Sequence, residues 1–339
     1  MVALPAVRLK RWQARALRWL ATAALVACIF WFVPLGEVVQ SLRGVRLGYV
    51  WAGIAVSVAA HYLQAFQTWL LLSRIGMPIR TSEIFAINMT TRFYGQFLPS
   101  ELMAGAVKLH RLAGPTKQWG EVVAALTFFR LANMLALVLL GLCFWAIERP
   151  SGAGWWVGIV MFALAAAILV LHVILSSRRT SAVLQRLVPS RGFSWLRGKV
   201  VDRVRGVIRT MVESYRVFGE VFVAIGTLAV ARHLIGMVSF GLLALSVDVR
   251  LSYLTIGWLR VVMHVIMMLP ISLAGIGVRE GSLVVLLQEY AVPPGQAVAL
   301  GLVLFANTAL VTNALGGALE LKNVLSGGRR AGAPQRSPE

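Results

Sequence analysis

The chain has 339 residues, 58% of them hydrophobic and only 14% charged, with a mean hydropathy of +0.77 and a formal net charge of +20. A soluble domain of this length needs far more polar surface, so the composition places the chain in a bilayer, and the spread of the positive charge between apolar runs argues against a nucleic-acid partner. The two cysteines, Cys28 and Cys143, fall within apolar runs and suggest neither a disulfide framework nor a metal cluster.

A hydrocarbon core roughly 30 Å thick takes about 20 apolar residues per helix. By that measure full spans are predicted near residues 17–35, 50–72, 121–147, 154–176, 221–247 and 297–321. Two interrupted apolar stretches, 82–113 and 252–291, lie between them. If each enters and leaves on one side, the chain makes six crossings and its termini share a side; if each passes through, there are eight. The expected fold is an all-α polytopic membrane bundle of about six full spans plus two broken or re-entrant hairpins.

Basic residues give the orientation, because Lys and Arg are retained in cytoplasmic loops. With an inside N-terminus the inner segments hold 25 of the 33 Lys and Arg: five in 1–18, six in 73–120, ten in 177–217 and four in 322–339. The outer segments hold Arg43, Arg46, Arg149, Arg250, Arg260 and Arg279, while Arg130 and Arg232 fall inside spans. Both termini are therefore expected in the cytoplasm of a prokaryote. Leu25-Val-Ala-Cys28 fits a lipoprotein cleavage box, but its apolar run continues to Val33 without a polar border, so the segment reads as a span.

Residues 177–217 are the sizeable polar region. Val201, Val204, Val207, Ile208, Met211, Val212 and Tyr215 recur there at helical spacing opposite arginines, as an interfacial helix on anionic lipid requires, although a basic loop that only fixes topology has the same composition. The organisation expected is one transmembrane domain, 1–325, with half-repeats 47–176 and 218–325 joined by the 177–217 loop, then a disordered tail at 326–339.

The half-repeats rest on the interrupted stretches. Arg92 precedes Leu98-Pro99, Glu101, Gly105 and Lys108; Arg260 and His264 precede Leu269-Pro270, Gly275, Gly277, Arg279 and Glu280. Each stretch leads into a similarly worded span, Gly120 to Asn133 and Gly295 to Asn307. Since topology would run them in opposite directions, an inverted repeat with broken helices is predicted, an arrangement found in transporters with a site near the midplane. Backbone broken at membrane depth must line protein or a watery cavity, and freed N–H groups at a half-helix start favour anions.

Ionisable residues inside the membrane are costly, about 2.5–3.5 kcal/mol at a helix centre, and so are functional candidates. The candidate substrate-binding residues are Arg92, Pro99, Glu101, Lys108, Arg130, Arg260, His264, Pro270, Gly275, Gly277, Arg279, Glu280 and Asn307. The competing reading makes Arg260 and Arg279 staples to Glu101 and Glu280. Arg232 with His233 is read as structural, and His61, Gln64, Gln67, Asn133 and Asn313 as interhelical hydrogen-bonding groups. The five histidines have no spacing that puts two metal ligands on one helical face, and neither a Gly-x-Ser-x-Gly elbow nor a close carboxylate pair is present. No catalytic residue, metal or cofactor is expected.

From Pro270 through Arg279-Glu280, the Gly295–Asn307 span and Gly316-Gly317, the chain resembles the lysylphosphatidylglycerol synthase transmembrane region, the flippase-like membrane family; Leu98-Pro99 to Lys108 and Arg130 stand in the places of its first-half motif. Lys108 replaces the arginine expected there, and Phe129 an acidic residue. The resemblance covers about residues 15–325. It implies movement of anionic or polyprenyl-linked lipids between leaflets, without the aminoacyltransferase part that some members carry beyond this region. The alternatives are a scaffold or accessory subunit for lipid- or glycan-synthesis enzymes, and an intramembrane lipid-modifying enzyme.

Overall fold

The structure is a computed structural model that describes residues 11–97, 101–149, 154–176, 206, 209–210, 213–215, 217–268 and 275–330. Among these the secondary structure is helical, with no strand. In chain order the helices are α1 (Arg11–Phe32), α2 (Leu35–Arg43), α3 (Leu47–Arg74), α4 (Thr81–Phe97), α5 (Glu101–Ala113), α6 (Trp119–Glu148), α7 (Gly154–Ser176), α8 (Phe222–Ser246), α9 (Tyr253–Met268), α10 (Val278–Leu287), α11 (Pro294–Leu310) and α12 (Gly316–Arg330). A π-helical turn, Val311–Leu315, joins α11 to α12 without breaking the rod.

By length and composition, α6, α7, α8 with the turn before it, and the α11–α12 rod can each cross a membrane; a fifth span results if α1 and α2 count as one. That pair corrects the expected straight span at 17–35, because the chain turns by 88° between Phe32 and Leu35. The cause is Pro34, which has no N–H for the preceding turn and disfavours helical backbone at Val33. Beyond the bend α2 buries Val38 in a small core with Val33 and Val298. The segment predicted as the 50–72 span forms the 28-residue α3, about 42 Å long at 1.5 Å per residue. It is long enough to cross but not apolar all round, since Gln67 and Thr68 are buried within it.

α3 packs along α8, and the two run antiparallel: Gly53 abuts Leu243, Ser57 lies 2.8 Å from Ser239, and Gln67 donates to the Ile225 carbonyl. α6 and α9 are also antiparallel. At that crossing Gly141 meets Val261 and Gly257 meets Phe144, so closely that a Cβ on either glycine would overlap its neighbour.

Both interrupted stretches fold as hairpins whose feet meet. The start of α9 (Thr255) and Tyr290, just after α10, reach the same carboxylate, Glu148 at the end of α6. Ile84 near the start of α4 and Leu112-Ala113 at the end of α5 share one core with Leu72 and Met77. The tips, 98–100 and 269–274, lie outside the described residues, as does most of the 177–217 loop. Tyr215, at the end of that loop, is buried 2.6 Å from His172 Nδ1 of α7 and packs edge-on against Phe128. The predicted disordered tail lies largely in residues the structure does not describe.

The apolar interior has two main parts. One gathers Leu71, Leu72, Ile84, Val122, Phe128, Ala132, Phe218 and Ile225; the other gathers Leu135, Val138, Met237, Leu243, Trp258, Leu259, Leu283 and Leu300. On α6 the boundary falls between Ala132 and Leu135, and on α8 between Ile225 and Met237. Those intervals contain Asn133, Arg232 and His233.

Candidate functional site

The boundary between the two cores is a polar seam. Arg232 Nε donates to Asn133 Oδ1 at 2.9 Å, and His233 Nε2 lies 2.9 Å from the Asn133 carbonyl and 3.0 Å from Arg232 Nη2. Across the bundle Arg92 of α4 donates to Gln64 of α3 at 3.1 Å, and Gln64 in turn lies 3.4 Å from His61 Nδ1. Ser57, His61, Gln64 and Thr68 recur at helical spacing, so α3 carries one polar stripe along the seam. The amide acceptor aims the Arg232 guanidinium without neutralising it.

The seam concentrates positive charge. Arg232 lies within electrostatic range of both Arg92 and Arg260, Lys108 within range of Arg92, and His233 within range of Arg232, Arg260 and His264. Arg260 rests its guanidinium on Gly236 of α8, where a Cβ would stand 2.7 Å from Nη1 and Nη2; the missing side chain makes room for the charge. The Lys108 ammonium sits 5.8 Å over the Phe129 ring, so the phenylalanine presents a π face to the cation. Lys108, Arg232 and Arg260 are all half-buried, retaining accessible surface although they lie mid-helix in an apolar bundle. Among the described residues none of the three forms an ion pair.

Of the predicted site residues, the structure thus brings together Arg92, Lys108, Arg260 and His264. Arg130 stands on an exposed face of α6. Gly275 and Gly277 have φ of +75° and +82°, backbone that a side chain disfavours, and they turn the chain into α10. Gly277 packs against Leu25 and Gly281 against Ile29, which sets the start of α10 partway along α1. Glu280, buried, accepts the Gly277 N–H at 2.7 Å and so caps its own helix. Arg279 lies 5.4 Å over the Phe305 ring. Asn307 donates to Ser57 at 3.0 Å, joining a hydroxyl pair in which Ser239 also bonds the Gly53 carbonyl. Pro99 and Pro270 lie outside the described residues, and so does the side chain of Glu101.

One residue was read differently from sequence, and two polar clusters had not been singled out there. Arg232, read there as structural, is the link between Arg92 and Arg260. Glu148 gathers Thr255, Trp258 Nε1 at 2.9 Å, Tyr290 at 3.3 Å and Ser252 at 3.4 Å. Near the opposite end of the bundle Glu320 on α12 takes both oxygens to Arg111 at 3.0 Å and accepts from Tyr94 at 2.8 Å. Among the described residues no three His, Cys, Asp or Glu side chains converge as metal ligands would. A cavity of about 420 Å³ lies away from the seam, between α2, the α8–α9 turn and the start of α11, lined by Glu37, Gln40, Arg46, Asp248 and Gln296.

This architecture agrees with what the chain is similar to. Residues 16–316 match the family model for the lysylphosphatidylglycerol synthase TM region. The chain belongs to that family. It is an integral membrane protein with several apolar helices, and the family resemblance drawn from Pro270 to Gly317 holds across nearly its whole length. No curated protein and no solved structure matches it.

Proposed function

We propose that the chain is a lipid translocase that carries the head group of an anionic phospholipid or polyprenyl-linked lipid through the polar seam while the tails stay in the bilayer. The observation that carries the reading is the seam itself: arginines and a lysine gathered where two apolar cores meet, a setting in which buried charge is costly and a visiting anion would offset the cost. The protein acts without covalent chemistry, in the cytoplasmic membrane, with both termini inside.

In this reading α1, α3, α6, α7, α8 and the α11–α12 rod cross the membrane, and the α4–α5 and α9–α10 hairpins are re-entrant from opposite sides. The matched feet of each hairpin support re-entry over passage. An inverted repeat is supported by contacts that recur after a shift of about 175 residues, as two-fold exchange of the halves requires. Asn133 reaches α8 at Arg232, and Asn307 reaches α3 at Ser57. Gly141 crosses α9 at Val261, and Gly316 crosses α4 at Met89. The antiparallel α3 and α8 are then equivalent helices in opposite orientation.

The test is transbilayer movement of head-group-labelled lipids in proteoliposomes holding the full chain. Accelerated movement of an anionic lipid, lost in Arg260→Gln at matched insertion, is the expected result. A folded, correctly inserted protein that accelerates none of phosphatidylglycerol, cardiolipin or a polyprenyl phosphate would refute the translocase.

A further inference from the structure

We propose that the seam selects a head group bearing at least two negative charges, a diphosphate or a pair of phosphodiesters, over one bearing a single phosphodiester. The proposal rests on the translocase reading for the site it uses, and it goes further by naming the chemistry that site takes.

The argument is one of charge balance. Lys108, Arg92, Arg232 and Arg260 form a chain of neighbours, each within electrostatic range of the next. The neutral acceptor beside Arg232, Asn133, orients its guanidinium and leaves its charge intact. Six of the described carboxylates are engaged elsewhere. Glu280 caps α10, Glu320 holds Arg111, Glu148 holds Trp258, Glu213 holds Arg209, Asp248 lies by Arg46 and Arg250, and Glu83 accepts the Arg80 N–H. For Lys108, Arg232 and Arg260 in particular, no described carboxylate is paired with them. A single phosphodiester neutralises one such charge and leaves like charges repelling across the seam. A head group with two or three negative charges meets the set.

The groups suit that ligand in kind as well as number. Guanidinium forks bind phosphate oxygens through paired N–H bonds, and the ammonium adds a point charge. Arg232 spends Nε on Asn133 and has further N–H donors in its fork, and Arg260, seated on Gly236, is held by packing and keeps its fork for a ligand. Soluble pyrophosphate offers the same chemistry as a lipid diphosphate, so the experiment must separate them.

The experiment measures binding to the full chain in phosphatidylcholine nanodiscs. The probes are phosphatidylglycerol with one charge, cardiolipin with two, a polyprenyl diphosphate, and inorganic pyrophosphate in solution. The two multiply charged lipids are expected to bind about ten-fold or more tightly than phosphatidylglycerol, a preference equivalent to about 1.4 kcal/mol. Arg232→Gln and Arg260→Gln should each shrink that ratio, while Arg46→Gln, which removes the same charge at the exposed rim, should leave it unchanged. Equal binding of all three lipids, or an equal loss in Arg46→Gln, overturns the proposal. Pyrophosphate binding as tightly as the lipid diphosphate overturns its lipid head-group form. A charge preference in binding without transbilayer movement refutes the translocase and leaves this inference standing; movement indifferent to head-group charge does the reverse.

Discussion

Replacing Glu148 tests whether one carboxylate fastens both feet of the second hairpin. Thr255 and Trp258 are each 1% exposed, and both donate to Glu148. Glu148→Leu therefore leaves the buried Trp258 Nε1 without an acceptor, while the Thr255 hydroxyl keeps Ser252 Oγ 2.8 Å away as a partner. An orphaned donor costs about 1–3 kcal/mol in a protein interior, but hydrogen bonds within membrane bundles average nearer 0.6 kcal/mol, because the unfolded state in the bilayer also finds partners. The bonds from Tyr290 and Ser252, at 3.3 and 3.4 Å, are long and add little. The expected loss is about 1–2 kcal/mol for Glu148→Leu and about 0.5 kcal/mol for Glu148→Gln, which keeps one carbonyl acceptor. Unfolding in mixed micelles followed by circular dichroism gives both values, and a double-mutant cycle with Trp258→Phe should return a coupling of about 1 kcal/mol. Equal stability of the Leu and Gln variants, or no coupling to Trp258, would show that the carboxylate does not hold the hairpin.

The two equivalent glycine crossings should respond differently. Gly141→Ala presses on the Val261 side chain and should be rescued by Val261→Ala, whereas a Cβ at Gly316 would stand 2.5 Å from the Met89 carbonyl oxygen, so Gly316→Ala should cost about 1–3 kcal/mol and resist rescue by Phe93→Ala in the same unfolding assay. Glu320→Ala removes the carboxylate whose two oxygens share Arg111 Nη2, and with it the acceptor for Tyr94; with side chains 28% and 18% exposed, solvent screening limits the loss to about 1–2 kcal/mol, and an Arg111→Ala, Glu320→Ala cycle should show positive coupling. Gly277→Ala meets both a φ of +82° and the Leu25 Cβ at 2.8 Å, so it should lower thermal stability by more than Glu280→Gln, which only weakens a cap worth about 1 kcal/mol.

Helices and their ends were legible where a single residue decides them. Leu98-Pro99 and Leu269-Pro270 are local signals of a break, and both lie outside the described residues, between the helices α4 and α5 and between α9 and α10. Arg92 and Arg260 upstream of the prolines were legible for the same reason, since charge within an apolar run is a local signal. The bend at Pro34 was equally local but was absorbed into the 17–35 span, because apolarity continues on either side of it and a hydropathy window does not register direction. In α3 the window gave length, while Ser57, His61, Gln64 and Thr68 report their meaning only as a stripe facing another helix. The cluster around Glu148 had no sequence signal, since Ser252, Thr255, Trp258 and Tyr290 come to it from more than 100 residues away.

Helix packing assembles the seam. Asn133 sits fourteen residues after Trp119, the start of α6; Arg232 and His233 sit ten and eleven residues after Phe222, the start of α8. Each helix alone offers one or two polar residues in an apolar run, which reads as an interhelical hydrogen bond, and Arg232 beside His233 invites the same reading. Antiparallel packing of α3 on α8 changes the account, because it brings the middle of both helices to one level and carries Gln64, and with it Arg92, towards Arg232. A structural arginine in a bundle is stabilised by a carboxylate. Arg232 has an amide and an imidazole instead, with two more arginines in electrostatic range. That arrangement is unfavourable for an empty bundle and favourable for one that an anion enters, which supports placing Arg232 with Arg92 and Arg260 in the proposed lipid path.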